Sequence, residues 1–387
     1  MRIAVVTRRY WPAVGGIERV AQELARALCA AGHEVFIVAQ RTDEGPATWL
    51  THTVREAPAF ASFEHEGASV RQFRLSAARR IALLPLAHEA IPRVPRITAG
   101  KTRLATAPLY ERVAAPALAP LLDGSDVVHV LGGAWISVAA VPAARRLGLP
   151  VAVTPFVHRG FWRDDPASVR SYLQADAVLA TVEHDAADLR ALGVPAELIS
   201  VCGLPVSAVA RRPGNAERLV LFVGARVGHK GVGILRRAAR LVWEHEPDVR
   251  FAYVGSGPSL DDPDSRELDV GPVSDEERGD WFSRAAVLCL PSASESFGLV
   301  VAEAWSAGKP VVTSRIGVLR ELVEGARGGL AVEREPHAVA DALLRLLQRP
   351  AEAGELGRAG REYWNANFRP ERVAARHLEL YARIGAA

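Results

Sequence analysis

Residues 1–43, MRIAVVTRRYWPAVGGIERVAQELARALCAAGHEVFIVAQRTD, carry the pattern from which the fold is read. A short apolar run at residues 3–7 leads into a loop ending in Gly15-Gly16. Residues 20–28 then place apolar side chains at helical spacing, and a second apolar run covers 35–39. Two short apolar runs around an amphipathic helix spell a strand–helix–strand unit. Similar runs recur at 127–130, 151–154, 177–180 and 199–202, with helical patterns at 138–147 and 183–192 between them. The first half therefore reads as a doubly wound parallel α/β sheet.

A chain of 387 residues exceeds the size at which one core stops growing, so two domains are expected. Residues 208–217 (AVARRPGNAE) are polar, contain Pro213-Gly214 and break the alternation, which places a linker between a first domain at 1–207 and a second at 218–369. The second series has strand patterns at 219–223, 249–254, 287–290, 311–313 and 330–332. Its helical patterns lie at 232–245, 275–285, 299–307 and 338–348. Residues 370–387 begin as an amphipathic helix that either closes the second domain or crosses back to the first. Residues 71–115 are the hardest to read, because prolines interrupt a mixture of apolar and basic side chains.

The formal net charge is +3, and no dense basic block alternates with stacking aromatics, so a nucleic-acid partner is not expected. Cys29, Cys202 and Cys289 are odd in number and far apart, which fits a reducing compartment and neither a disulfide framework nor a CxxC metal site. No apolar stretch reaches the roughly 20 residues of a membrane span, and the expectation is a cytoplasmic protein, at most peripheral on the inner face of the membrane. Lysine is confined to Lys101, Lys230 and Lys309, so each of these invites a specific explanation.

The strongest chemical signal is Pro291-Ser292-Ala293-Ser294-Glu295-Ser296-Phe297-Gly298-Leu299-Val300-Val301-Ala302-Glu303-Ala304, a turn after an apolar strand that opens a helix. Free backbone N–H groups at such a helix start suit a phosphate, and two nearby carboxylates suit the hydroxyls of a ribose and a sugar. The plainer alternative is an N-cap acid at Glu295 and a solvated helix acid at Glu303. Gly15-Gly16 likewise reads either as an ordinary flexible turn or as backbone that approaches an anion closely. Asp261-Asp262-Pro263-Asp264 reads as an exposed loop rather than a metal site. His129, inside the run 127–130, reads as a strand-end residue that helps shape a cleft.

The stretch PSASESFGLVVAEAWSAGKPVV at 291–312 resembles the E-x7-E signature of retaining glycosyltransferases of family 4, whose GT-B fold sets two Rossmann-like doubly wound domains around a central cleft. Residues 1–43 resemble that family's opening strand, GGxE loop and first helix. Residues 221–232 (LFVGARVGHKGV) are similar to its phosphate-binding Arg/Lys loop, and 253–258 (YVGSGP) and 270–274 (VGPVS) to its base-side turns. The resemblance implies transfer of a sugar from a nucleoside diphosphate sugar (UDP, GDP or ADP) with retention of anomeric configuration, no cofactor and no metal. Glu303 would then bond the donor ribose and Glu295 the transferred sugar. The amides of Phe297, Gly298 and Leu299, with those of Gly15 and Gly16, would meet the phosphates, and Lys230 with Arg226 would neutralise them. Here the chain departs from the pattern, since Ala225 stands where the family has its arginine and Arg226 is next to it.

By the same resemblance, His158 contacts the transferred sugar, Gly255, Pro272 and Val273 lie on the nucleobase side, and Tyr10, Trp11 and Arg159 on the acceptor side. The acceptor is a glycan, a lipid-linked sugar or a small molecule. Residues 71–112 combine Arg71, Arg74, Arg79, Arg80, Arg93, Arg96, Lys101, Arg103 and Arg112 with Leu75, Ile81, Leu83, Leu84, Leu86, Ile91, Val94 and Ile97. They read either as a peripheral contact with anionic lipid or as a solvated segment whose leucines pack on the domain. A nucleotide-sugar epimerase and a non-catalytic nucleotide-sugar-binding module remain alternatives. A Rossmann dehydrogenase would need GxGxxG directly after its first strand, which residues 7–16 do not supply.

Overall fold

The computed structural model describes residues 1–43, 58–86, 101–160, 163–209 and 217–386. Contacts divide the chain into two compact units: Met1–Pro205 with Pro370–Ala387, and Val206–Arg369. The helix Pro370–Gly385 thus belongs to the first unit. Most of the residues read as a linker, 210–216, lie outside the described set.

The first unit is built on β1 (Arg2–Arg9), β2 (Glu34–Arg41), β3 (Phe63–His65), β4 (Ala68–Gln72), β5 (Val127–Leu131), β6 (Val151–Thr154), β7 (Ala177–Ala180) and β8 (Ile199–Val201). They form one sheet in the order β3-β4-β2-β1-β5-β6-β7-β8, in which only the β3–β4 pair is antiparallel. Ile3, Ala4, Val5 and Val6 are all fully buried, as a strand covered by helices on both faces must be. The helix Gly16–Ala30 packs Val20, Leu24 and Leu28 inward and stops where Gly32 takes a left-handed φ of 85°. Chain order reverses direction across the sheet between β1 and β5, the place where open α/β sheets leave a crevice at their carboxyl ends.

Between β4 and β5, where the sequence pattern was least readable, the chain forms the short helix Ala77–Ala82 and the long helix Lys101–Leu122. The latter contains Pro108, Pro116 and Pro120, yet it buries Tyr110, Ala114, Leu118 and Leu122, and Tyr110 meets Trp135 at 4.7 Å between ring centroids. Arg93, Arg96, Ile91, Val94 and Ile97 lie outside the described residues.

The second unit holds β9 (Leu219–Val223), β10 (Arg250–Val254), β11 (Glu267–Gly271), β12 (Val287–Leu290), β13 (Val311–Ser314) and β14 (Gly329–Val332). All pairs are parallel, in the order β11-β10-β9-β12-β13-β14, so its reversal falls between β9 and β12. The helices Gly317–Ala326 and Pro350–Asn367 and the strand β11 were not separated out by periodicity.

Candidate active site

The loops after β9 and β12 flank the reversal point of the second unit, and they are joined directly. The Ala293 amide donates to the His229 carbonyl at 2.6 Å, and Lys230 Nζ donates to Glu295 Oε1 at 2.6 Å. Ser292 Oγ donates to the same carboxylate oxygen at 2.8 Å, and Ser314 Oγ in turn donates to the Ser292 carbonyl. The Glu295 side chain is only 8% exposed and the Lys230 side chain 23%, so this ion pair is partly shielded from water. Burial and the Lys230 charge both push the neighbouring His229 imidazole below its ordinary value.

Gly231 makes this proximity possible. Its φ is 79°, and a Cβ there would collide with the backbone carbonyl of Pro291, so both conformation and space demand glycine. It caps the helix Val232–Trp243, while Gly298, at φ 87°, caps the helix Leu299–Ser306. The N-cap acid alternative is thereby excluded: the cap is Gly298, and the first turn of that helix carries no acid. Amides at Phe297, Gly298 and Leu299 open the helix where no intrahelical acceptor exists. The Phe297 ring is buried against Phe368 at 5.0 Å and belongs to the core.

Glu303 is not a solvated helix acid. It is 2% exposed and pairs with Arg278 of the helix Asp275–Arg284 at 3.3 Å, because the second turn of its helix faces inward. Arg226, the residue beside Ala225, is 9% exposed and directed toward β11, where it pairs with Asp269 and donates to the Gly257 carbonyl at 3.2 Å. Its Nε atom is buried with no hydrogen-bond partner among the described residues. Gly255 closes the end of β10 against the turn after β9, where a Cβ would collide with the Gly224 carbonyl, and its amide donates to Gly271 at 2.8 Å. Pro272 and Val273 follow directly, so the four turns after β9, β10, β11 and β12 share one edge of the sheet.

In the first unit, Gly15 caps the helix Gly16–Ala30 in an extended conformation, and the carboxylate of Glu18 lies against it, held by Arg9 Nε at 2.6 Å. His158 follows β6 and is half-buried, and Arg159 is exposed and meets Asp188 at 3.4 Å. Trp11 is 43% exposed and stacks on His65 at 4.4 Å. Tyr10 does not line an open surface as expected: it is fully buried, with its hydroxyl 3.2 Å from His65 Nδ1 and its ring packed edge-on against the His65 ring at 5.5 Å. His129 does not shape a cleft either. It is wholly buried, with Nε2 2.8 Å from Thr154 Oγ1 and Nδ1 2.7 Å from Tyr381 Oη on the helix Pro370–Gly385.

Sequence reasoning missed Arg278, Asp269, Ser292 and Gly231. Ser292 was within reach, since a hydroxyl three residues before an acid in a turn often bonds it. Asp269 and Arg226 are 43 residues apart and Arg278 and Glu303 25, so no local spacing signals either pair, although Arg278 also meets Asp275 on its own helix at 3.0 Å.

Two family models match the chain: "Glycosyl transferase 4-like domain" over residues 15–205 and "Glycosyl transferases group 1" over residues 217–349. Similar curated proteins include the D-inositol 3-phosphate glycosyltransferase of Frankia alni, 35% identical over 227 residues, or 51% of this chain and 55% of the relative. The enzyme of that name from Nocardiopsis dassonvillei is 31% identical over 287 residues, 62% of this chain and 66% of the relative. The chain spans about half to two thirds of the length of these relatives. Among solved structures, sucrose-phosphate synthase from Thermosynechococcus elongatus superposes with a TM-score of 0.71 at 20% identity, covering 100% of this chain and 99% of that one. Anabaena HepE in complex with UDP-glucose does so with a TM-score of 0.72 at 15% identity, covering 99% and 100%. At such identities the likeness establishes the GT-B fold alone.

Proposed function

The chain belongs to the group 1 glycosyl transferases, and from that premise we propose that it moves a sugar from a nucleoside diphosphate sugar to a hydroxyl-bearing acceptor with retention of anomeric configuration. The observation that carries this reading is the 2.6 Å pair of Lys230 and Glu295 beside the helix opening at Gly298, on the edge where the sheet order reverses. A cation and a row of free amides suit a leaving diphosphate, and the adjacent carboxylate suits the cationic character of the departing sugar.

In this mechanism the bond from the anomeric carbon to the phosphate oxygen breaks while one to the acceptor oxygen forms on the same face, and the acceptor proton passes to an oxygen of the leaving diphosphate. Lys230 takes up the charge of the leaving group, and Glu295 stabilises the sugar without bonding to it. Lys230 and the amides at Phe297–Leu299 do the work that a divalent ion does elsewhere, so the reaction is metal-independent. Glu303 bonds the ribose only if Arg278 yields or shares its carboxylate. HepE, a protein of the same fold, binds UDP-glucose, which favours a UDP-sugar here. The relatives' names favour a small polyol acceptor. Ile81 at 64% and Leu84 at 50% exposure, next to Arg79 and Arg80, support a peripheral lipid contact, and no helix among the described residues is long and apolar enough to cross a membrane.

A thermal-shift panel of UDP-, GDP- and ADP-sugars tests the donor. A ligand at ~100 times its Kd stabilises the folded state by about 2.7 kcal/mol. No shift with any nucleotide sugar would sink the proposal. Product NMR should show the donor's anomeric configuration kept, with activity surviving EDTA.

A further inference from the structure

The helix Leu299–Ser306 leaves Glu303 little freedom along its backbone. Trp305 is fully buried and its Nε1 donates to the Gly328 carbonyl at 3.0 Å, while Ser306 Oγ donates to the Glu303 carbonyl at 2.7 Å and accepts from the Val209 amide at 3.0 Å. What can still turn is the side chain, a carboxylate in a residue only 2% exposed. A charge taken this far out of water needs an opposite one beside it. Arg278 supplies it, with Nη2 3.3 Å from Glu303 Oε1.

Arg278 is itself fixed by the segment on which it stands. The helix Asp275–Arg284 begins directly after Pro272-Val273, and a reciprocal cap holds its start: the Ser274 amide donates to Glu277 Oε2 at 2.9 Å and the Glu277 amide to Ser274 Oγ at 3.2 Å. Gly279 and Phe282 bury the inner side of the same helix. The nitrogen that meets Glu303 also meets Asp275 Oδ1 at 3.0 Å, on a side chain 77% exposed. Arg278 Nε is buried and has no hydrogen-bond partner among the described residues. The arginine therefore holds Glu303 through one nitrogen and not through the two-nitrogen fork of the strongest arginine–carboxylate pairs. A one-point contact turns a carboxylate without enclosing it, since a carboxylate has about four acceptor positions.

We propose that Arg278 is a positioning residue of the donor site: it holds Glu303 turned toward the ribose hydroxyls and, through that carboxylate, sets the affinity for the nucleoside half of the donor. The inference rests on the transferase reading given above, with Glu303 as the ribose acceptor. Asp275 meets the guanidinium from the water side, so Arg278 stays in place when a hydroxyl arrives, and the carboxylate is shared between the two. The diphosphate falls instead to Lys230 and the amides at Phe297–Leu299, so the arginine's influence ends at the ribose.

Titration calorimetry on the full chain tests this with UDP, GDP and ADP, each beside its 2′,3′-dideoxy form. In the wild type the dideoxy form of the preferred nucleotide should bind about tenfold or more weaker, because it lacks the hydroxyls that Glu303 accepts. Arg278→Gln should weaken the ribose nucleotide by about the same factor and leave the dideoxy form within about twofold, so that the two constants converge. Glu303→Gln should act likewise, and the double variant should lose no more than the worse of the two single ones, since both residues serve one contact. Arg278→Lys keeps a charge and should give an intermediate ratio. A merely structural arginine would weaken both forms in parallel. That result overturns the proposal, as does an unchanged or tighter hold on the ribose nucleotide in Arg278→Gln. Should Arg278→Gln fail to fold, the lysine variant decides, and a ratio equal to that of the wild type overturns the proposal. A wild type that binds no nucleotide sinks the transferase reading and this inference with it. One that binds ribose and dideoxy forms alike overturns the inference alone and leaves the transferase reading standing.

Discussion

Two reversal points of like topology carry different side chains at their edges. In the second unit each named cation near the sheet edge has a carboxylate at hand: Lys230 with Glu295, Arg226 with Asp269, Arg278 with Glu303. In the first, Arg8 and Arg9 end β1, Arg9 pairs with Glu18 at 2.6 Å, and burial followed by the nearby charges of Arg9 and Arg41 lowers Arg8 from its ordinary value. A paired edge is preorganised, and a ligand that takes up one partner must first part it from the other. The contrast teaches that the doubly wound sheet supplies a place, and that the side chains at its edge decide what is put there.

The largest expected effect that would break this contrast is at Glu303. Arg278 is held by Asp275 at 3.0 Å as well as by Glu303 at 3.3 Å, so Glu303→Ala leaves it only the more exposed of its two carboxylates and should lower the stability of the second unit by about 3 kcal/mol, the lower end for a broken buried pair, read by chemical denaturation. A change below about 0.5 kcal/mol would mean that the pair with Arg278 is not structural. Next, Lys230→Ala should weaken nucleotide-sugar binding by about 1.5–3 kcal/mol in calorimetry. Glu295→Gln should instead lower kcat more than it raises KM, since its charge acts on the transition state; equal binding and turnover in both variants would contradict the assignment.

The most gradual effect, spread over pH units and not set by one substitution, is on acid stability. Burial holds His129 well below its ordinary value and His377 down to about 4, both in the first unit and facing Tyr381, with Arg376 and Cys202 nearby. Folded imidazoles that stay neutral while unfolded ones charge below about 6.5 bind fewer protons. Their stabilisation is therefore present above that pH and is lost as pH falls from about 6.5 toward 4, at up to about 1.4 kcal/mol per pH unit for each group. Hydrogen exchange at descending pH should expose the helix Pro370–Gly385 before the strands of the second unit. Simultaneous loss in both units would show that the carboxylates, not these imidazoles, govern acid unfolding.

Much of this could be read from the sequence, and the boundary of legibility has a physical cause. Buried parallel strands such as β1, β9 and β12 announce themselves as continuous apolar runs, and the turn at 291–298 advertised a helix start. The long helix Lys101–Leu122 did not, because its three prolines break the period by which helices are recognised even though its inner face is buried. The proximity of Lys230 and Glu295 followed from the resemblance, whereas Glu303 with Arg278 and Arg226 with Asp269 are meetings across the fold that no spacing encodes. Tyr10 was misplaced for the opposite reason: its neighbours in sequence mark a loop, and only the packing of His65 shows that its ring turns inward.

The helix Pro370–Gly385 belongs to the unit whose strands are all made before residue 202, although 164 residues of another unit, Val206–Arg369, come between them in the chain. On a ribosome that distance is time. The eight-stranded sheet can form early, but the face around His129 and Thr154 must wait for Tyr381, and at roughly 5–20 residues per second the wait is on the order of ten seconds or more. During that interval the second unit folds as an insertion whose two ends are both tied to an unfinished neighbour, and a translation pause after residue 369 would hold the nascent chain with this apolar and histidine-bearing surface uncovered.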